Sequence, residues 1–418
     1  MNKQTFHTCL LHLCLLLLAA CSKDLVDQLQ SRQELNEHLY TQNNTAATAR
    51  IRQIMYQKPN DATTERFKLV HISDVHLSSW SPSNHYQLPI NLRQSIRFAN
   101  QDALRINAIA ITGDFISYAE KPQATSFMRS FATCVQQDNR IPTLICTGNH
   151  DSNIGVQKNH EPIMHTLFYK SEITNLLFAN SANAYLRQTE ENYYYEDLPN
   201  PQGGIIRIIA LDMIDQPSDT YNTLNYAIYS QAQIDWLGNV ALKGMTEAHS
   251  VIILNHFPFQ RRDTGASTYL CDGDYVHPWQ MIPEIVEAFR GHTTLQKSYP
   301  DQFGGDSIHV DFDFSTSRAD FICYLGGHIH ANAHFEISGL SNEQPHLPKQ
   351  QMIICTNQAP SERGVVYNRV EREEDKLSSN AFCIHAFDTQ ERKIYTTYFG
   401  AYQPADEPNY PEIQVLSY

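Results

Sequence analysis

The sequence predicts a layered α/β protein with a mixed sheet, and three observations predict it. Seven short apolar runs, FKLVHIS, NAIAIT, PTLICT, GIIRIIAL, SVIILN, DFICYL and QMIICT, are rich in β-branched residues, as strands buried on both faces are. Between the early runs lie stretches whose apolar residues recur at helical spacing. Near the end, NAFCIHAF and KIYTTYF flank Asp388 to Arg392 and read as a hairpin. Strands alternating with helices, followed by hairpins, give α/β layers.

The first element is a leader. MNKQTFHTCLLHLCLLLLAAC carries Lys3 ahead of an apolar run over residues 9–18, too short to span a bilayer as a stable anchor. Leu18-Ala19-Ala20-Cys21 resembles the lipobox of bacterial lipoproteins, in which Cys21 becomes the acylated first residue after cleavage. An ordinary signal peptide cut near Ala20 and a short uncleaved anchor are the alternatives; small residues ending at a cysteine favour the lipobox. This reading expects a domain on the exported side of a bacterial cell envelope, lipid-anchored to a membrane. Residues 1–20 are then the signal peptide and 21–65 a tether. Leu25, Leu29, Leu35 and Leu39 mark one short helix in the tether, and Ile51, Ile54 and Met55 another. The catalytic domain is expected over 66–400, with a C-terminal tail over 401–418.

Within the domain, helices are expected over 92–105 and 123–137. A third starts at Ser230, where Gln233 stands at the capping-box position, and buries Ile234, Trp236, Leu237 and Leu242. A fourth covers 278–290, with Gly291 as its stop. Residues 152–203 and 257–318 fit neither pattern. Both belong at the presumed rim, where loops that choose substrates are carried. Residues 371–376 read as a solvated turn.

A formal net charge of −14 leaves no basic stripe to neutralise a polyphosphate backbone, so nucleic acid is not expected as a stable partner. A small phosphate-bearing substrate remains compatible, because two divalent cations would reverse the local field. Of nine cysteines, Cys9 and Cys14 leave with the leader and Cys21 takes lipid. Cys134, Cys146, Cys271, Cys323, Cys355 and Cys383 remain, none with CxxC spacing. Cys146, Cys323, Cys355 and Cys383 sit inside strand-like runs and are expected to be buried packing residues.

The chemistry gathers at the strand ends. Asp74 and His76 follow FKLVHIS, Asp114 follows NAIAIT, and Asn149 follows PTLICT. His256 ends SVIILN, and His328 and His330 follow DFICYL. In open α/β sheets, side chains at the carboxyl ends of strands share one crevice. Asp74 and His76 alternate by two and aim at one point if the chain stays extended. Gly113, Gly148 and Gly326-Gly327 allow tight turns at the other exits. Carboxylate, amide oxygen and several imidazoles suit two divalent transition-metal ions such as manganese, iron or zinc, and the absence of thiolates argues against a structural zinc site. One carboxylate can bridge two metals about 3.5 Å apart. Alone, each motif is an ordinary loop; in this order, each at a strand exit, they describe one centre. The HxHxDH order of amide- and lactone-cleaving metal hydrolases does not occur.

DVH, GDF, GNHD, NHF and GGHIH resemble the successive signatures of the calcineurin-like metallophosphoesterases over roughly residues 66–400. The resemblance implies a four-layer α/β/β/α sandwich and hydrolysis of a phosphate ester by a metal-bridging hydroxide. It implies that Asp74, His76 and His330 hold one metal, that Asn149, His256 and His328 hold the other, and that Asp114 bridges them. His150 would protonate the leaving oxygen or steady the transition state. Three residues after Asp114 stands Ser117. Purple acid phosphatases place Tyr there (here Tyr118 is one residue beyond), and protein Ser/Thr phosphatases place the Asp that begins their Arg-Gly signature. Both subfamilies are disfavoured. The choice between monoester and diester stays open, and Arg261, Arg262, Tyr269, His277 and Trp279 are candidate substrate contacts or plain surface. The rival reading is a retired enzyme fold kept for metal binding or surface interaction; the presence of both Asp114 and His150 favours the enzyme.

Overall fold

The computed structural model describes residues 30–59, 61–77, 82–117, 119–137, 139–153, 157–158, 161–162, 164–178, 191–215, 229–259, 279–300, 306–357, 373, 375–402 and 411–418, with backbone alone at 82–89, 157–158, 161–162 and 164. The leader, Cys21, Leu25, Leu29, Tyr118, Arg261, Arg262, Tyr269, Cys271, His277 and half of 371–376 lie outside the described residues. Among the described residues, no helix is long and apolar enough to cross a membrane.

The described residues open with helix α1 (30–54). Then come β1 (Phe67–Ile72), α2 (Pro82–Ala99), β2 (Ala108–Thr112), α3 (Lys121–Gln136) and β3 (Thr143–Cys146). A small hairpin, β4 (Gln157–Lys158) and β5 (Glu161–Pro162), precedes α4 (Lys170–Leu177), β6 (Tyr194–Pro199) and β7 (Ile205–Ala210). Next follow α5 (Gln231–Trp236), β8 (His249–Leu254), α6 (Met281–Arg290), β9 (Thr294–Tyr299), β10 (Ile308–Asp313) and β11 (Asp320–Gly326). The chain closes with β12 (Ala333–Ile337), β13 (Gln350–Ile354), β14 (Ala381–Asp388), β15 (Lys393–Gly400) and β16 (Ile413–Ser417).

Two six-stranded mixed sheets form the centre, in the orders β16-β15-β14-β1-β2-β3 and β12-β13-β11-β8-β7-β6. In the first, β1, β2 and β3 are parallel, while β14 runs antiparallel to β1. In the second, β7, β8, β11 and β13 are parallel and the edge strands β6 and β12 antiparallel. The inner strands are buried along their length, which explains their continuous apolar runs. One apolar cluster includes residues of both sheets and of α1–α6. The fold is a four-layer α/β/β/α sandwich, with parallel strands of both sheets delivering their carboxyl ends to one rim.

Several boundaries differ from the sequence reading. Helix α2 starts at Pro82 and ends at Ala99 rather than covering 92–105. Pro89, which reads as a breaker, lies inside it, and Arg105 takes a left-handed conformation instead of continuing a helix. At α5 the Ser230 hydroxyl does accept the Gln233 amide. The Gln233 side chain, however, turns away from the cap to bond both backbone groups of Asp212, so the capping box is not closed. Gly291 follows α6 with φ −79°, and His292 takes the left-handed position.

The expected tether is part of the fold. Residues 30–54 form one helix, because Tyr40, Ala47, Ile51 and Ile54 line a single buried face that joins the leucine- and isoleucine-marked halves. Arg50 bonds Thr397 and the Tyr398 carbonyl on β15, and Tyr40 meets Phe399 at 5.7 Å between rings. The expected tail likewise ends in a sheet strand, and Tyr418 is buried. Cys134, Cys146, Cys323, Cys355 and Cys383 are free and buried.

Candidate metal centre

The strand exits are held against one another by backbone bonds. The Asp74 amide donates to the Gly113 carbonyl, His76 to the Asp114 carbonyl, and Leu77 to the Phe115 carbonyl. Within the second sheet the Gly327 amide donates to the His256 carbonyl, and across the two sheets the Asn357 amide donates to the Ser73 carbonyl. The chain does not stay extended after β1. Asp74 and His76 have φ of 55° and 49°, and Asp114, His328 and His330 are also left-handed, at 55°, 74° and 50°. Half of the ten non-glycine residues described with positive φ are therefore candidate ligands. Such strain persists where surrounding bonds over-determine the backbone, as at functional sites.

The glycines act by different means. Gly113 needs its φ of 81°. Gly148 is extended, with φ −117°; it is required because a Cβ there would fall on Asp114. At Gly327 a Cβ would strike Ser73 and Asp74. The loops thus approach until only backbone fits between them.

Asp74, His76, Asp114 and His330 each offer one ligand atom within 4.8 Å of the others, and Asp114, His256 and His328 form a second such group. Asp114 belongs to both. Its Oδ2 lies 3.5 Å from His76 Nε2, 3.2 Å from His256 Nε2 and 3.9 Å from His150 Nε2. Its Oδ1 accepts the His150 amide. His76 and His330 bring their Nε2 atoms to 2.9 Å, and His330 Nε2 is 3.5 Å from Asp74 Oδ1. The His328 amide donates to the Asp74 carboxylate. Asn149 is buried on the GNHD turn beside Asp114. Of the candidate substrate contacts, Trp279 alone is described; it packs half-buried against the core.

Burial, together with the neighbouring Asp114 charge, raises the Asp74 carboxyl, while His330 and His256 pull it down. For Asp114 burial works upward, but the surrounding His256, His150 and His76 hold it well below the usual carboxylate range. Burial lowers His76, His150 and His330, which favours the neutral imidazole that a metal ligand needs at His76 and His330. His256 is the exception: burial opposes its charge, yet the adjacent Asp114 carboxylate raises it to about 9. Its Nδ1 donates to the Thr112 carbonyl at 2.6 Å, which leaves Nε2 directed at Asp114.

Among the described residues, three buried ligand-type atoms, Asp114 Oδ2, Asn149 Oδ1 and His256 Nε2, have no hydrogen-bond partner. Stranding a buried polar atom costs about 1–3 kcal/mol. Cations that accept these lone pairs remove that cost, and the mixed oxygen and imidazole set fits divalent transition metals.

Of two supporting carboxylates, Asp151 reads from the sequence as a brace of its own loop, and only Asp212 carries no role there. Asp151 accepts the amides of Asp114, Gly148 and Phe115, clamping the GDF loop to the GNHD loop. Asp212 follows β7 as the candidate ligands follow their own strands, which was a usable signal. It accepts the Thr147 hydroxyl at 2.5 Å, and burial, with Asp215 nearby, raises it to about 6. It lies outside both ligand groups.

No curated protein sequence matches the chain. Among solved structures, a purple acid phosphatase from yellow lupin (Lupinus luteus) seeds is similar at 12% identity and TM-score 0.45, over 86% of this chain and 55% of that one. The chain thus spans about half of the lupin protein. PhoD is similar at 8% identity and TM-score 0.45, over 84% of this chain and 68% of the other. The family model of the calcineurin-like phosphoesterases matches residues 67–332, which run from the first residue of β1 past the GGHIH loop and take in every candidate ligand. The chain belongs to the calcineurin-like phosphoesterase family.

Proposed function

We propose that the protein hydrolyses a phosphate ester with two divalent transition-metal ions, and that it works from a lipid anchor on a membrane. The observation that carries the hydrolase reading is the placement of Asp114, one carboxylate common to two ligand groups with His150 beside it. Asp74, His76, His330 and Asp114 would hold one ion; Asn149, His256, His328 and Asp114 the other. When bound, such ions supply charge neutralisation at the phosphoryl oxygens and an acidified water. The chain supplies the rest. Asp151 fixes the two loops that carry Asp114 and Asn149. The Thr112 carbonyl fixes the His256 tautomer. His150 Nε2 delivers a proton to the leaving oxygen, for which an imidazole is suited near neutrality.

The anchor reading rests on Cys21 and the small residues before it. Each buried acyl methylene contributes about 0.8 kcal/mol to attachment, so several chains hold firmly. The acidic chain has no charge-based attraction to an anionic bilayer of its own.

The hydrolase test is a panel of aryl phosphate mono- and diesters with manganese, run beside elemental analysis. Wild type should hold close to two ions per chain and turn over at least one ester class. Asp114→Ala should deplete both ions together. A metal-free wild type after reconstitution sinks the two-metal reading. A fully loaded protein inert on every ester returns the retired-enzyme reading.

A further inference from the structure

Helix α1 has a direction, and the direction locates the amino end of the fold. At its later end, Arg66 donates to the Ile54 and Tyr56 carbonyls, and Gln57 bonds Glu391. Arg66 precedes β1, and Glu391 lies in the turn joining β14 to β15. Both mark the amino end of β1, because Phe67 pairs with Phe387. At its earlier end, Arg32 meets Asp375 and Asn43 bonds the Leu377 carbonyl. These two partners lie just ahead of β14, whose first residues stand beside the carboxyl end of β1, where His71 pairs with Cys383. Helix α2 agrees: Gln94 bonds the Asn36 carbonyl, Arg97 pairs with Glu37, and Gln101 bonds Asn44. Helix α1 therefore runs antiparallel to β1 and begins at the end of the sheet from which Asp74, Asp114 and Asn149 project.

We propose that the rim bearing the candidate metal centre faces the lipid surface to which the chain is tied. This rests on the reading of Cys21 as the acylated residue. Residues 22–29 separate Cys21 from the first described helical residue, and eight or nine extended residues reach at most about 30 Å. Gln30 itself stands about 20 Å of helix before Asn43, the residue that touches the rim end of β14, and the opposite end of the sheet lies a further strand length away, about 25 Å for the eight residues of β14, so the two together exceed that reach. Docking of α1 keeps Gln30 at the rim end of the fold: Ala47 and Ile51 are fully buried, and the Arg50 contacts to β15 hold the helix along the sheet. A phosphate ester displayed by the bilayer is then the substrate nearest the site.

The full-length protein is made with a single reporter in a Cys271→Ser background, at Lys376→Cys near the rim or at Gln390→Cys in the β14–β15 turn. Both positions are exposed. The amino-terminal peptide is checked by mass for a diacylglyceryl group. On phosphatidylcholine–phosphatidylglycerol vesicles containing a headgroup quencher, the Lys376 reporter should be quenched about threefold or more over the Gln390 reporter, given their separation of about 25 Å. A long Gly/Ser insertion after residue 25 should erase that difference. Equal quenching, or stronger quenching at Gln390, in a lipidated protein overturns the orientation and leaves the anchor standing. An unmodified Cys21 overturns the anchor and the orientation together. Neither result bears on hydrolysis of soluble esters, which is measured separately.

Discussion

His150 stands 3.9 Å from the shared carboxylate oxygen, and its ring packs edge-on against His76 at 4.5 Å. It belongs to neither ligand group, so its expected work is proton delivery. His150→Ala should leave metal content nearly intact and lower kcat by roughly two to four orders of magnitude. The loss should shrink for esters with good leaving groups, which depart without a proton. Equal losses across a leaving-group series would assign His150 another task. The seven candidate ligands and His150 were legible as residue types at strand exits. Their backbone conformations were not. Spacing by two suggested an extended DVH segment, whereas Asp74 and His76 converge through left-handed turns imposed by bonds to the GDF loop. Long-range partners set those turns, and no local sequence rule contains them.

Among the elements, β1 and β14 carry a feature independent of the metal centre. His71 and His385 face each other at 3.2 Å, and Thr112 and Thr396 bond their outer nitrogens. Burial lowers His385 to about 3; burial and its partner's charge lower His71 well below its usual value. Both folded pKa values are depressed, so each contributes stability that is present above the unfolded value near 6.5 and is lost as pH falls below it. For His385 the loss is about 1.4 kcal/mol per pH unit, or about 2 kcal/mol between pH 6.5 and 5. Denaturant unfolding at both pH values should show this drop reduced by that amount in His385→Gln. An unchanged pH slope would show that His385 is already protonated at pH 5. All seven apolar runs and the final hairpin were legible as strands because those segments are buried on both faces. The edge strands β6, β12 and β16 and the β9–β10 hairpin were not, since each buries one face and alternates with polar residues.

At the scale of the whole molecule, α1 changes what counts as the domain. A chain begun at Arg66 loses the burial of Tyr40, Ala47, Ile51, Ile54 and Met55. At about 1.5–3 kcal/mol for each large apolar side chain, this rivals the typical stability of a domain, about 5–15 kcal/mol. A chain begun at residue 30 should melt cooperatively, and one begun at Arg66 should melt far lower or fail to accumulate. Equal melting temperatures would return residues 30–54 to the status of a spacer. The split leucine and isoleucine clusters hid the helix, because Tyr40 and Ala47, which join them, do not advertise a helical face by hydropathy alone.

The position of β1 between β2 and β14 also fixes the order of assembly. His71 and His385 are 314 residues apart, and the pairing that joins them closes a loop of that length. Closing so large a loop is entropically costly, and topologies dominated by distant contacts fold slowly. A chain emerging from its amino end can pair β1 with β2 and β3 early, but it leaves the other side of β1 open until the final hairpin arrives. The turns that carry Asp74 and His76 leave that half-finished strand, so the candidate centre is completed only after the final hairpin has paired.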